Sequence, residues 1–446
     1  MSFPANSSFR NFLASGGFFQ GYVYAYPHKT AYRDLNPNRE LRAVWKNENK
    51  QSLFLYVHVP FCEMRCGFCN LFTTTHPGTG LVGRYLDAIR RQAEAVADAL
   101  GADARFTRFA MGGGTPTFLA TSELEHLFGI LNRHFLGAEN YPPKAIEASP
   151  STVDEEKLAF FKAQRITRVS LGVQSFIETE VKALGRAQRA SDVRQALGRL
   201  ISSKFDCVNI DLIYGIEKQT STTWKRSLEE ALTFHPQEIY LYPLYVRPLT
   251  RLDLIGATPT DDRIELYRIG RDFLLERGYR QISMRLFRSA SYCPPEGPVY
   301  CCQEDGMVGL GPGARSYTSA LHYSSEYAVG RPGIMDVIAD FNTRTHEQFS
   351  VADYGCELDV GEQKRRYLLK SLLRSDGLDL EDYRAFFTSD AIYDFPQLNE
   401  LLDDGLAQEH DGALKLNGRG LELSDVIGPW IWSSSMRERM ETFKLA

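Results

Sequence analysis

The stretch FLYVHVPFCEMRCGFCNLF, residues 54–72, joins an aromatic and β-branched run to a loop that packs three of the chain's eight cysteines into eight residues. The run reads as a strand that stops at Pro60, so Cys62, Cys66 and Cys69 fall on the loop leaving its C-terminal end. Comparable runs recur as RFTRFAMGGG, KAIEASP, RITRVSLGV, CVNIDLIYG and EIYLYPLYV, each followed by a polar or helical segment. Helices are predicted over about 83–100 and from Ser122 onward. This alternation predicts an α/β fold whose six parallel strands make a partial (β/α)6 barrel, smaller than the usual eight-unit form. In such barrels the functional side chains sit where strands end and helices begin. His58, the three glycines Gly112, Gly113 and Gly114, Glu147, Gln174 and Asp211 all fall at those positions.

Outward from this core, residues 1–50 are rich in Tyr, Phe and Arg (GYVYAYPHKTAYR) and are predicted to fold as an extension over the barrel mouth. The barrel with its substrate-side elements is expected over 51–345. Beyond Asn342 leucines recur at helical spacing (KRRYLLKSLLRSDGL, FPQLNELLDDGL), and LAQEHDGALKL reads as two short strands joined by Asp411-Gly412, a strong hairpin signal. A small helical, winged-helix-like domain is therefore expected over 350–446. With 446 residues, the chain can bury an apolar core without disulfides. The formal charge is −5 and no long Lys/Arg block appears, which argues against tracking a nucleic-acid backbone. No apolar stretch approaches the ~20 residues of a membrane span, and the start lacks a secretory pattern. The expectation is a cytoplasmic protein in a reducing compartment, with its cysteines free for chemistry.

Spacings of four and three let one short loop wrap a small inorganic cluster, whereas structural zinc normally recruits pairs of ligands from two separate turns. Zinc would need a fourth ligand, which His58 or His76 could supply. Three thiolates on a [4Fe–4S] cube leave one iron without a protein ligand, where ordinary electron-transfer clusters have four cysteines. An open iron can bind a substrate.

With its flanks, the loop resembles the signature of the radical S-adenosylmethionine (SAM) superfamily, specifically the oxygen-independent coproporphyrinogen III oxidase-like group. The resemblance runs over about 22–427 and is most specific within 53–215. It implies that the open iron chelates the amino and carboxylate groups of SAM, and that an electron from the cluster cleaves the sulfonium. The 5′-deoxyadenosyl radical so released would abstract hydrogen from a small-molecule substrate. A low-potential flavodoxin or ferredoxin-like protein is the implied electron donor. Carried over by motif, Gly112, Gly113, Gly114 and Thr115 of GGGTPT face the methionine amino group, and Glu147 of IEASP meets the ribose hydroxyls. Gln174 of VSLGVQSF and Arg186 of LGR are further SAM contacts, Asp211 of NIDLIYG offers a polar contact, Phe68 lies against adenine, and Tyr56 completes the set.

Departures from the group's pattern bear on the substrate. The decarboxylase shares a Tyr-Pro element in its N-terminal extension, here Tyr26-Pro27, but carries a further cysteine where this chain has Leu71. The haem chaperones carry a His-Asn-x-x-Tyr-Trp segment where this chain reads EGPVYCCQEDGMVGLGPGARSY, with Arg315 where relatives tend to have His. The expectation is therefore the group's chemistry on a different substrate, with authentic decarboxylation, methyl transfer through a second SAM, and haem carriage as rivals. Cys301 or Cys302, near Cys293 and beside Glu304 and Asp305, is a candidate hydrogen-atom or proton donor to a substrate radical, or a covalent anchor. Tyr242, Tyr245 and Arg247 after the sixth strand, with Arg285 and Arg288, are candidate contacts to an anionic substrate.

Overall fold

The computed structural model describes residues 7–137, 142–294 and 304–445. All six expected strands form: β1 Leu53–Val59, β2 Phe106–Gly113, β3 Lys144–Ala148, β4 Arg168–Gln174, β5 Cys207–Tyr214 and β6 Glu238–Pro243. They lie side by side in chain order, each parallel to the next. Helices Leu81–Leu100 and Thr121–His134 follow β1 and β2. The alternation of strand side chains decides what faces where. Leu53, Leu55, Val57, Ile146, Val169, Leu171, Val173, Ile210 and Leu212 are each 1% exposed or less and form the core under the helices. Each such side chain contributes roughly 1.5–3 kcal/mol on burial. Their odd-numbered and even-numbered neighbours, Tyr56, His58, Glu147, Ser170, Gly172 and Asp211, turn to the inside of the barrel, where they line cavities.

The six strands belong to a sheet of thirteen that does not close on itself. Beside β1 lies Met307–Leu310, also parallel, followed by Arg315–Tyr317, Leu321–Ser324, Val351–Glu357 and Arg33–Glu40, all antiparallel to their neighbours. Beside β6 lie Leu286–Ser289 and Tyr279–Gln281. The expected boundary at residue 350 therefore needs correcting, because Val351–Glu357 pairs on both edges within the main sheet.

C-terminal to that strand the chain is helical, with a three-stranded sheet of Leu378–Asp379, Ala413–Leu416 and Ala407–His410. Its hairpin turns at Asp411 and Gly412, whose φ angles of 51° and 76° are the positive pair a type I′ turn requires. The N-terminal helix Phe9–Gly16 packs on the helix Ser424–Ile431, with the Phe9 and Trp430 rings edge-on at 5.2 Å. Tyr26 donates its hydroxyl hydrogen bond to Glu362 at 2.5 Å. The N-terminal segment thus shares the C-terminal core as well as reaching the barrel. Among the described residues no helix is long and apolar enough to cross a membrane.

Candidate active site

From β1 the chain passes through Pro60 into the cysteine loop, which is pinned at several points. Phe61–Cys62 pairs with Thr74–Thr75 on the loop's own return, and the Thr74 N–H donates to the Pro60 carbonyl at 2.7 Å. The Gly67 N–H donates to the Leu184 carbonyl at 2.8 Å, and the Gly67 carbonyl accepts from the Leu252 N–H at 2.9 Å. The segments after β4 and β6 therefore hold the middle of the loop. A Cβ at Gly67 would stand 2.8 Å from the Leu184 carbonyl oxygen, so glycine is needed for this approach.

Each thiol has a distinct setting. Cys62 Sγ lies 3.4 Å from Thr115 Oγ1. Arg186 donates from Nη1 to Cys66 Sγ at 3.3 Å, while its Nη2 and Nε are fixed by the Gly172 carbonyl at 2.8 Å and Gln188 Oε1 at 2.7 Å. Burial, with Cys66 alongside, pushes the Cys69 thiol up to about 12, so ligation there must displace a proton. The three cysteines open on one cavity of about 200 Å³ that Phe68, Gly113, Gly114, Thr115, Glu147, Gln174, Arg186 and Asp211 also line.

Backbone strain and two acids complete the site. Gly113 has φ 115°, and a Cβ there would stand 2.8 Å from the His58 ring. Gln174 adopts a left-handed φ of 69° at the end of β4, where the register with β5 slips. Glu147 accepts from the Gly113 N–H at 3.3 Å. Although its carboxyl is exposed to the cleft, the surrounding protein and nearby Asp211 push it up to about 7. Asp211 is held by Asn209 at 2.8 Å and Ser170 at 3.4 Å, and burial raises it too. Two acceptor-bearing carboxyls thus stand across the cavity from the thiols. Phe68 packs beside Leu184, Ile213 and Leu252.

Among the described residues, no three His, Cys, Asp or Glu side chains converge tightly enough to hold one metal ion. His58 directs Nε2 to the Phe72 carbonyl at 2.7 Å and lines a neighbouring cavity. The zinc alternative with His58 as fourth ligand therefore fails on geometry. Three thiols facing different corners of a cube need not approach each other as ligands of one ion do, and the Arg186 cation suits the extra negative charge of a thiolate-bound cluster. The donor set fits a [4Fe–4S] cluster.

The family profile described as the radical SAM superfamily matches residues 56–231. Over that span the chain resembles a radical SAM domain. Across its length it is 25% identical to an oxygen-independent coproporphyrinogen III oxidase of Pseudomonas aeruginosa, over 90% of this chain and 88% of that one. It is 27% identical to the heme chaperone HemW of Bacillus subtilis, over 84% of this chain and 98% of that one. The solved structure of coproporphyrinogen III oxidase (HemN) from Escherichia coli superposes with a TM-score of 0.75 at 21% identity, covering 94% of this chain and 98% of that chain. The fold is thus that of the solved coproporphyrinogen III oxidase.

Within residues 56–231, most expected cofactor residues share the cysteine-lined cavity. Tyr56 is set apart, opening on the adjoining cavity with its hydroxyl 3.5 Å from His58 Nδ1. The expected substrate contacts fare differently. Arg285 is corrected: it is buried against Asp425 under the Tyr22 ring, so its charge is already neutralised. Arg247 lies 4.1 Å above the Tyr245 ring, and Tyr242 stacks on Tyr240 at 5.5 Å; neither lines either cavity. Cys301 and Cys302 lie outside the described residues, and Cys293 is exposed. Lys29, which the sequence pattern did not single out, lines the second cavity together with Arg315. A lysine in a Tyr-Pro-His-Lys segment offers no periodic signal that would mark it.

Proposed function

We propose that this chain reductively cleaves SAM at a [4Fe–4S] cluster held by Cys62, Cys66 and Cys69, and uses the 5′-deoxyadenosyl radical to abstract hydrogen from an organic anion other than coproporphyrinogen. The observation that carries this reading is the single cavity onto which the three thiols, the Gly113 to Thr115 turn, Glu147, Gln174, Arg186 and Asp211 all open. Cys62, Cys66 and Cys69 hold the cluster, and Arg186 offsets charge at Cys66. The backbone of Gly113 and Gly114 approaches the ligand closely, Glu147 and Asp211 accept hydrogen bonds from hydroxyls, and Phe68 offers a face to a purine. A low-potential flavodoxin or ferredoxin-like protein supplies the electron, because such clusters reach potentials of about −700 mV.

Anaerobic reconstitution should give about four irons per chain, and dithionite with SAM should yield 5′-deoxyadenosine. A chain that takes up no iron overturns the reading. The Bacillus subtilis relative named a heme chaperone supports a second, non-enzymatic reading. That one expects stoichiometric haem binding without 5′-deoxyadenosine. Labelled methyl passing from SAM to product would instead mark a methyltransferase using a second SAM.

A further inference from the structure

Past Glu147, on the inner face of β1, lies a second cavity of about 370 Å³. It shares Leu71, Gly113 and Glu147 with the cysteine-lined cavity, so the two meet at the carboxyl that ends β3. Its walls come from distant segments: Tyr24 and Lys29 from the N-terminal extension, Phe54 and Tyr56 from β1, and Arg315 from the strand Arg315–Tyr317.

The charges here are unusual. Lys29 Nζ lies 3.5 Å from the centre of the Tyr327 ring, and the Arg315 guanidinium lies 4.8 Å from the Tyr24 ring and 5.5 Å from the Tyr317 ring. Burial, with Arg315 nearby, pushes Lys29 well below the usual lysine range; neither side chain has an ion pair among the described residues, and Nη1 of Arg315 is buried without a hydrogen-bond partner there. Both nitrogens of the fully buried His322, on the same wall, also lack partners. Aromatic faces ease a buried cation without neutralising it, and leaving one uncompensated in the interior is costly. Arg285, in the same barrel, has its carboxylate in Asp425. Arg366 and Lys370 also contribute to the wall, and Glu147 is its one carboxylate among the described residues. Among the described residues the cavity's basic side chains outnumber its one carboxylate, which suits it to an anion from outside.

We propose that this second cavity is the substrate pocket and takes a small organic anion, its carboxylate or phosphate facing Lys29 and Arg315 and its carbon skeleton against Tyr24, Phe54 and Tyr56. The proposal rests on reading the neighbouring cavity as the place where the radical arises, since the shared wall at Glu147 is where the two ligands would meet. The pocket's volume lies at the lower end of the ~300–1,000 Å³ span of small-molecule sites, the scale of a one-ring or two-ring acid.

The test is calorimetric titration of the anaerobically reconstituted, SAM-loaded protein with 4-hydroxyphenylacetate, phenyl phosphate and coproporphyrin III. At least one of the two small probes should bind saturably at one per chain, and which one does so distinguishes carboxylate from phosphate. Binding should weaken roughly tenfold or more in each of Lys29→Met and Arg315→Met, with iron content unchanged, and coproporphyrin III should not bind saturably. Melting of the ligand-free protein gives a second readout: Arg315→Met should melt at or above the wild-type temperature, because it removes an uncompensated charge. The proposal is overturned if neither small probe saturates, if binding survives both substitutions, if coproporphyrin III binds one to one, or if Arg315→Met fails to fold or melts markedly lower. Iron uptake and 5′-deoxyadenosine formation by the wild type are read separately, so their failure would sink the radical reading while the anion titrations still report on this pocket.

Discussion

Around the cysteine loop, the chain supplies a partner for most charged groups: Arg186 is held by Gly172, Gln188 and Cys66, and Asp211 by Asn209 and Ser170. Across the Glu147 wall, Lys29 and Arg315 lie against aromatic rings and have no ion pair among the described residues. The difference separates two uses of buried polarity. A site that must hold one fixed geometry is internally satisfied and rigid. A pocket that binds an anion from outside gives up stability to keep its cations unpaired. The pair Arg285–Asp425 shows that the fold can neutralise a buried arginine when the role is structural.

The largest expected effect lies on the satisfied side. Cys66→Ala should reduce iron from about four per chain to near zero on reconstitution, measured by colorimetric iron assay; full retention would break the assignment of the loop. Next, Asp425→Ala should cost about 3–5 kcal/mol in urea unfolding, since it strands Arg285 in the interior. If it proved as harmless as Arg315→Met, the contrast between the two arginines would collapse. Gly113→Ala should cost about 1–3 kcal/mol, from a left-handed φ and a Cβ pressed on the His58 ring, and the same unfolding series checks it.

The smallest effect concerns pH. Glu147 is raised from 4.5 to about 7 in the fold, so between those values the native state binds a proton that the unfolded chain has released. Its contribution to stability therefore falls as pH rises through that window and is lowest above about 7. Glu147→Gln lacks this fall, so its melting temperature relative to wild type should climb from about pH 5 to about pH 8. A constant difference would show that Glu147 is not shifted.

Much of the cysteine-lined site is legible in the sequence because its parts are local. Three thiols sit on one loop, and strand alternation sends Glu147 and Asp211 inward from runs whose apolar residues are plain in the sequence. The hairpin at Asp411-Gly412 is legible for the same reason, since its turn chemistry lies in two adjacent residues. Arg285 misleads because charge near a strand end says nothing about a partner 140 residues away. Val351–Glu357 falls on the wrong side of the expected boundary because its pairing partners, Arg33–Glu40 and Leu321–Ser324, are remote in sequence.

By itself, then, the amino-acid sequence determined the parallel strands, the cluster loop and the order of the strand-end motifs, because short-range spacing and side-chain alternation encode them. Tertiary structure alone decided which cations stay unpaired. Only when the N-terminal segment and the Arg315 strand close on β1 does it emerge that Lys29 and Arg315 share a wall, and that Asp425 reaches Arg285 instead.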